Sequence, residues 1–240
     1  MALRAAGRTD VGLVRKENQD SFLVLEQQAA YAVADGMGGH AGGKQASVIT
    51  IDTLRWELEN MQALDRTRVE KALATANARI TKKATEKNWD GMGTTLVLAY
   101  HAAGEWNIAH IGDSRAYMVN DKGIYALTKD HSLVGELLAN GSITMEEAKV
   151  HPHRNILTRA LGAGGDPIPE WNAIPANEAA YLLLCSDGLY NMVDDEAIRQ
   201  LIIDPGWTLD EKANRLVDEA KHQGGVDNIT VILIAEEGGL

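Results

Sequence analysis

The spacing of apolar residues predicts four helices. In each of four stretches, apolar side chains recur every three or four positions, which is the pattern of one buried helical face. Two of these stretches follow each other early in the chain, and two lie near its end. The predicted helices span about 43–61, 66–87, 194–203 and 209–222. Asp194 and Thr208 stand where helix N-caps are expected, and both residue types are common there.

Eight further segments have the length and composition of β-strands, at about 21–25, 30–34, 94–100, 105–111, 116–119, 124–127, 180–185 and 229–235. Several are joined by only a few turn residues, which favours antiparallel hairpins over parallel strands with helical crossovers. The run 181–184 is apolar on both faces, so we expect that strand to be buried. Strands and helices grouped in this way indicate an α+β fold in which helices cover sheets.

Residues 131–165 differ from the rest of the chain. This segment mixes polar residues with Gly141 and the run His151-Pro152-His153. It predicts a short helical excursion on the surface, forming a flap. No internal repeat, low-complexity tract or linker interrupts the chain, so we predict a single domain over 1–240 with a flap subdomain at about 131–165.

Composition and charge narrow the function classes. The 240 residues are 45% hydrophobic and 24% charged, as in an ordinary globular protein, and the net charge is −11. An acidic chain argues against nucleic acid as a partner. The longest apolar runs fall far short of the roughly 20 residues that span a bilayer. With Cys185 as the only cysteine, no intrachain disulfide can form, which fits a reducing cytosol. We therefore expect a cytoplasmic protein that does not engage a membrane, and a monomer.

Five aspartates fall at the ends of predicted strands. Asp35, Asp113 and Asp187 follow apolar runs, and Asp20 and Asp227 immediately precede strands. A single aspartate in such a place is an ordinary turn residue, but five together favour a shared site. Two carboxylates about 4 Å apart repel by about 4 kcal/mol at an effective dielectric constant of 20. Such a cluster must therefore take up protons or hold cations.

The ligand types indicate which cations. Oxygen ligands without a His or Cys set favour Mg²⁺ or Mn²⁺. Two such ions about 3.5–4 Å apart form a hydrolytic centre in which a bridging water is activated to hydroxide. Gly36, next to Asp35, leaves room for its carbonyl to approach an ion. Arg15, five residues before Asp20, has the side chain best suited to grasp a phosphate.

The glycine-rich stretch 35–45 matches two phosphate-binding motifs in part and departs from both. A dinucleotide fingerprint is contradicted by Asp35, which would repel the pyrophosphate, and by the helix predicted where a strand should follow. A P-loop spacing ends at Lys44, but Gln45 stands where a Ser or Thr hydroxyl is needed. What remains is a loop of small residues beside an acid, leading into a helix N-terminus.

Two other candidates for chemistry are weak. Cys185 lacks the C-x5-R loop of cysteine phosphatases, because position 191 is Asn191. It lies in a strand predicted to be buried, where a thiol is usually inert. His151 and His153 have no evident set of partner ligands, so we interpret them as surface residues of the flap.

Six short motifs occur in the order found in metal-dependent Ser/Thr protein phosphatases of type 2C, and the chain resembles the compact bacterial branch of that family. The motifs are Arg15…Asn18-Gln19-Asp20, Asp35-Gly36-Met37-Gly38-Gly39-His40, Gly93-Thr94-Thr95, Gly112-Asp113-Ser114-Arg115, Ser186-Asp187-Gly188-Leu189 and Asp227-Asn228-Ile229-Thr230. The resemblance covers essentially the whole chain. It implies a four-layer αββα sandwich in which two antiparallel sheets are flanked by helix pairs.

The resemblance also implies metal-ligand roles. Asp35 matches the acid that bridges two core ions, and Gly36 matches the carbonyl ligand of the second. Asp187 and Asp227 match ligands of the first ion, and Asp20 matches an acid that holds the second ion through water. The implied cofactors are Mn²⁺ or Mg²⁺.

Three further roles follow from the same resemblance. Asp113 matches a ligand of a weaker third ion, shared with Asp187, and Arg15 matches the phosphate-binding arginine. In eukaryotic relatives a histidine two residues after the first metal-binding acid is a proposed general acid. That position is Met37 here, so the candidate proton donors are His40, which lies nearby, and a metal-bound water.

The implied activity is hydrolysis of phosphoserine and phosphothreonine in proteins. The metal-bridging hydroxide attacks phosphorus directly, Arg15 and the metals neutralise the developing charge, and no phosphoenzyme forms. The expected partners are phosphorylated proteins and a cognate Ser/Thr kinase, in bacterial signalling. The alternative is a catalytically silent, metal-bound sensor or scaffold with the same fold.

Overall fold

Two antiparallel sheets of five strands each lie face to face at the centre of the residues that the computed structural model describes, 3–39 and 41–236. The first sheet has the order β1 (Leu3–Asp10), β12 (Ile229–Glu236), β11 (Tyr181–Cys185), β8 (Arg115–Asn120) and β9 (Gly123–Ala126). The second has the order β10 (Glu170–Pro175), β7 (Glu105–Ile111), β6 (Leu96–Ala102), β3 (Ala30–Ala34) and β2 (Ser21–Leu25). The short strands β4 (Gly36–Met37) and β5 (Gly93–Thr94) pair separately.

Helices cover the outer face of each sheet. The long helices α1 (Ala41–Leu58) and α2 (Arg66–Lys87) pack on the second sheet. The first sheet is covered by α5 (Asp187–Tyr190), α6 (Asp195–Ile203) and α7 (Leu209–His222). A third apolar cluster fills the space between the sheets. The predicted four-layer αββα sandwich of the α+β class is therefore confirmed.

Alternation along the central strands explains why they are apolar on both faces. In β11, Leu182 and Leu184 point into the space between the sheets, whereas Leu183 and Cys185 face the helices. All five residues of this strand are buried. Successive side chains of a strand point to opposite faces, so a strand in a middle layer must be apolar at every position. Each fully buried large side chain contributes about 1.5–3 kcal/mol.

The helix starts follow the predicted caps. The Asp194 side chain accepts a hydrogen bond from the backbone N–H of Ala197 at the start of α6. Thr208 and Glu211 form a reciprocal capping box at the start of α7. Such caps satisfy backbone N–H groups that have no partner within the helix.

Some boundaries differ from the prediction, and two strands of the five-stranded sheets were not predicted. The first helix begins and ends about two or three residues earlier than expected, and β6 is displaced toward the C-terminus. The strands β1 and β10 have no strong apolar pattern, because both are partly exposed. They owe their conformation to pairing with β12 and β7.

Residues 131–165 contain two short helices, α3 (Leu133–Ala139) and α4 (Met145–Lys149), in agreement with the predicted helical excursion. The two ends of this segment meet at a Ser132–Leu157 bridge and at a hydrogen bond from Leu133 N to the Ile156 carbonyl. Its role as a flap subdomain stays a prediction. Within 3–39 and 41–236, none of the helices is long and apolar enough to cross a bilayer.

Candidate metal centre

The strand ends of the second sheet bring Asp20 and Asp35 to the same edge. Strands β2 and β3 are antiparallel, with Ser21 opposite Ala34, so the residue before β2 lies beside the residue after β3. Strand β6 lies between β3 and β7 and is antiparallel to both. The end of β7, which leads to Asp113, therefore lies at this edge too.

The first sheet contributes two further aspartates at the same end of the sandwich. Strands β11 and β12 are antiparallel, with Cys185 opposite Val231. Asp187, after β11, and Asp227, before β12, therefore lie at neighbouring strand ends. Asp187 is the first residue of α5. Asp113 lies in the turn between β7 and β8, where the chain passes from the second sheet to the first.

A cavity of about 470 Å³ opens where these strand ends meet. Most of the predicted site residues line it, together with Asn155 and Leu157 from the 131–165 segment. The predicted residues in its wall are Arg15, Asp35, Gly36, Asp113, Asp187 and Asp227. Asp20 does not line this cavity and is only 2% exposed.

Asp20 is held inside the protein as an acid with one oxygen unsatisfied. The Ser186 hydroxyl donates to its Oδ2 at 2.7 Å, whereas the buried Oδ1 has no hydrogen-bond partner in the described structure. Burial raises the pKa of Asp20 to about 6, and the charge of Asp227 adds to the rise. Hydrogen bonds from Thr230 and Ser186 oppose it.

The other acids perturb one another. Burial raises the pKa of Asp35 and of Asp187 well above the usual range, and the neighbouring carboxylates raise both further. Burial, followed by the charge of Asp130, raises the pKa of Asp113 to about 7. Each of these carboxylates therefore resists ionisation unless positive charge is supplied.

The residues fit divalent ions. The Oδ1 atoms of Asp20 and Asp187 are buried without a hydrogen-bond partner among the described residues, and an unpaired buried carboxylate oxygen is costly. Every acidic ligand candidate offers oxygen, which suits Mg²⁺ or Mn²⁺. A pair of such ions would satisfy these oxygens and relieve the repulsion among the acids.

Two threonines fix the backbone of Asp35. The Thr94 hydroxyl and the Thr95 backbone N–H both donate to the Asp35 carbonyl at 2.8 Å. The Asp35 N–H donates to the Thr95 hydroxyl at 3.0 Å. The Gly93-Thr94-Thr95 motif therefore positions the main chain of the central acid.

Gly36 occupies a place that admits no side chain. A Cβ atom at this position would lie 2.1 Å from the Gly43 carbonyl oxygen in α1 and 2.7 Å from the Gln19 carbonyl oxygen. The backbone can thus pass between helix and loop, close to the cavity, only because residue 36 is glycine.

Arg15 forms the cationic part of the wall. Its Nη2 atom lies 2.6 Å from Oδ2 of Asp227, and this hydrogen bond is the main reason that the pKa of Arg15 is raised. The side chain remains 55% exposed. It is anchored at the cavity and accessible to a phosphate group.

Comparison with known proteins agrees with this geometry. The family model for protein phosphatase 2C matches residues 14–221. The chain belongs to the protein phosphatase 2C family. It is 42% identical to the Serine/threonine phosphatase stp of Listeria innocua, over 97% of this chain and 95% of that one.

Solved structures of protein phosphatase 2C relatives superimpose closely. The S. agalactiae serine/threonine phosphatase matches with a TM-score of 0.92 and 34% identity, over 98% of this chain and 100% of that one. The catalytic domain of the serine threonine protein phosphatase PstP, solved with two manganese ions, matches with a TM-score of 0.87 and 36% identity over 97% of each chain. Members of the protein phosphatase 2C family are metal-dependent enzymes, and the acid cluster fits that chemistry.

Two residues bear on the predicted chemistry of this protein phosphatase 2C member. His40, a candidate proton donor, lies outside the described residues. Cys185 is completely buried, and burial raises the pKa of its thiol, so the interpretation as an inert core cysteine is confirmed.

Asn228 has a positioning role that the sequence did not reveal. Its Oδ1 accepts from Gln19 N at 2.8 Å, and its Nδ2 donates to the carbonyls of Val11 and Glu17 at 3.0 Å each. The buried amide thereby ties down the loop that carries Arg15. Its place directly after Asp227 in a protein phosphatase 2C motif was the available signal.

Proposed function

We propose that the protein hydrolyses phosphoserine and phosphothreonine in proteins by direct attack of water on phosphorus, with two divalent ions and a weaker third. The observation that carries this proposal is a cavity whose wall combines four aspartates with an exposed, anchored arginine, while buried carboxylate oxygens lack any partner in the described chain. The acids need cations, and the arginine offers a place for phosphate.

The chain supplies an asymmetric set of ligands. Asp35 and the Gly36 carbonyl follow β3 of the second sheet, and Asp187 and Asp227 lie beside the ends of β11 and β12 of the first. Asp113 would hold the third position. Divalent ions held there would neutralise these acids and the phosphate and would lower the pKa of the attacking water, whose proton passes to solvent.

The remaining steps belong to the protein's own residues. The guanidinium of Arg15 binds non-bridging phosphate oxygens and orients phosphorus for in-line attack. A new bond forms from the water oxygen to phosphorus as the bond to the Ser or Thr oxygen breaks, and that oxygen takes up a proton. His40 is the proposed source of this proton. Cys185, buried in β11, is not available as a nucleophile, and direct attack by water requires no phosphoenzyme.

The cellular setting is inferred from the same activity. We infer phosphoprotein substrates, a cognate Ser/Thr kinase that makes them, a cytoplasmic location and a monomeric enzyme. The segment 131–165, which places Asn155 and Leu157 in the cavity wall, is proposed as a flap that contacts substrate.

The decisive assay measures phosphate release from p-nitrophenyl phosphate and from a phosphothreonine peptide. We expect activity in Mn²⁺, loss of activity in EDTA, and recovery when Mn²⁺ is restored. Wild-type activity at background in Mn²⁺ would instead favour the silent sensor or scaffold.

Isosteric variants test the ligand assignments. Asp35→Asn and Asp187→Asn should each lower turnover at least about 100-fold, because replacing a residue that only holds a metal ligand in place costs 10–100-fold and these residues would touch the ions themselves. Asp52→Asn, an exposed position on α1, is the matched control and should retain wild-type activity. Near wild-type turnover in either site variant would remove that residue from the metal centre.

A further inference from the structure

The turn that carries Asp113 is tightly constrained. Gly112 has a φ of +100°, and a Cβ atom there would lie 2.7 Å from the Thr95 side chain. The Tyr190 hydroxyl donates to the Asp113 carbonyl at 3.0 Å, and the Arg115 guanidinium lies 3.6 Å from the centre of the Tyr190 ring. The direction of the Asp113 carboxylate therefore depends on contacts made to the backbone around it.

His131 satisfies both backbone hydrogen-bonding groups of Gly112. The Gly112 N–H donates to Nδ1 of the His131 ring at 3.2 Å, and the His131 N–H donates to the Gly112 carbonyl at 2.9 Å. His131 is only 6% exposed. The residue directly before Asp113 is thus held on both sides by one histidine, 19 positions away.

The far side of the His131 ring is also held. Its Nε2 lies 3.3 Å from Oε2 of Glu170 on β10, and the ring stacks on His110 with centroids 4.5 Å apart. Because Nδ1 accepts from Gly112, the ring proton is on Nε2, where it is donated to Glu170. His110 is fixed in turn by a hydrogen bond from its Nε2 to the Lys129 carbonyl at 2.8 Å.

The same three side chains have the composition of a transition-metal site, and His110, His131 and Glu170 offer ligand atoms within 4.8 Å of one another. The hydrogen bonding opposes that use. Coordination through Nε2 of His131 would move the ring proton to Nδ1, where it would face the Gly112 N–H. A metal-ligating histidine normally donates its other N–H to an acceptor, and Gly112 offers a donor instead.

We propose that His131 is a positioning residue that sets the orientation of Asp113 through Gly112, and thereby the affinity of the weak metal position that Asp113 serves. Glu170 and His110 hold the ring in the plane and tautomer that this role requires. The inference rests on the proposed ligand role of Asp113.

Two isosteric variants separate the two sides of the ring. In His131→Asn, the side-chain oxygen takes the place of Nδ1 and can still accept from Gly112. In His131→Gln, the amide reaches the place of Nε2, so the contact to Glu170 is kept and the acceptor for Gly112 is lost. His153→Asn, at an exposed position, is the control for loss of a histidine.

The measurement is binding of Mn²⁺, followed by the electron paramagnetic resonance signal of the free ion, which does not depend on turnover. We expect His131→Gln to raise the dissociation constant of the weakest Mn²⁺ position about 10-fold. His131→Asn and His153→Asn should stay within about twofold of the wild type. Thermal unfolding in EDTA checks that each variant is folded. Should His131→Gln not fold, Glu170→Ala frees the ring from a side chain that is 43% exposed and should raise the same constant by a smaller factor.

Asp113→Asn separates failure of this inference from failure of the proposed function. Suppose that Asp113→Asn raises the dissociation constant of the weakest Mn²⁺ site, whereas folded His131→Gln, or Glu170→Ala in its place, does not. The inference about His131 is then wrong, and the ligand role of Asp113 stands. An unchanged constant in Asp113→Asn would overturn the ligand role, and the inference with it. A stoichiometric Zn²⁺ ion that persists in Asp113→Asn and is lost in His110→Ala would show a metal site at the histidines and would also overturn the inference.

Discussion

Asp20 should destabilise the metal-free protein at neutral pH, and asparagine at this position should remove that effect. The side chain is 2% exposed, with one oxygen bonded to Ser186 and the other without a partner in the described structure. Burial is the main reason that its pKa rises from 3.8 to about 6. Asparagine has the same shape, still accepts from Ser186 and carries no charge.

The magnitude follows from linkage between protonation and folding. At 1.36 kcal/mol for each pH unit by which a pKa is displaced, ionised Asp20 lowers the free energy of unfolding by about 3 kcal/mol. The folded state binds this proton more tightly than the unfolded chain does. The free energies of unfolding of wild type and Asp20→Asn therefore converge at low pH, where Asp20 is protonated in both states. The wild type begins to lose free energy of unfolding as pH rises through 3.8, and the loss is complete above about pH 6.

Urea unfolding in EDTA tests this reasoning with wild type and Asp20→Asn. At pH 7.5 the variant should be more stable by about 3 kcal/mol, or by about 6–12 °C in Tm for a chain of this size. At pH 4.5 the difference should shrink to about 1 kcal/mol. The exposed control Asp52→Asn should change stability by less than about 0.5 kcal/mol. Equal stability of Asp20→Asn and wild type at pH 7.5 would refute the argument.

Two further predictions concern the cavity wall. Arg15→Ala should lower kcat/KM for p-nitrophenyl phosphate about 10- to 150-fold, mainly through KM, since a hydrogen bond to a charged group contributes about 1.5–3 kcal/mol. Lys16→Ala removes the same charge from the same wall and should have a much smaller effect; equal effects would assign the result to charge alone. Gly36→Ala should abolish activity and lower Tm, because its methyl group would lie 2.1 Å from the Gly43 carbonyl oxygen. Gly39→Ala has open space around it, and a comparable loss there would contradict the steric explanation.

The elements predicted best are those whose local pattern and buried surface agree. Helices α2 and α7 have the predicted bounds because an apolar stripe marks each of them, and the cap Thr208 also marks the start of α7. Strand β11 is recognisable because both of its faces are buried. Strands β1 and β10 carry no such mark. Their strand conformation depends on pairing with β12 and β7, and these partners come together only when the chain folds.

The same distinction applies to the residues of the site. Acids at strand ends can be read from the sequence, because antiparallel pairing brings such ends to one edge. The role of His131 cannot be read, because its contacts are to Gly112 and Glu170, 19 and 39 positions away. A lone histidine in a polar segment gives no local sign of such partners. The same is true of the Tyr190 hydroxyl, which reaches the Asp113 carbonyl across 77 positions.

The position of the acids also links metal binding to the packing of the two sheets. Loop 11–20 passes from the first sheet to the second, and the turn 112–114 passes back from the second to the first. The proposed ligands therefore come from both sheets and from the connections between them. Ions bound there would join the sheets at one end, and ligand binding at 100 times the dissociation constant stabilises a fold by about 2.7 kcal/mol. That gain is comparable to the cost of ionised Asp20, so bound ions would offset the destabilisation that this acid causes in the metal-free fold.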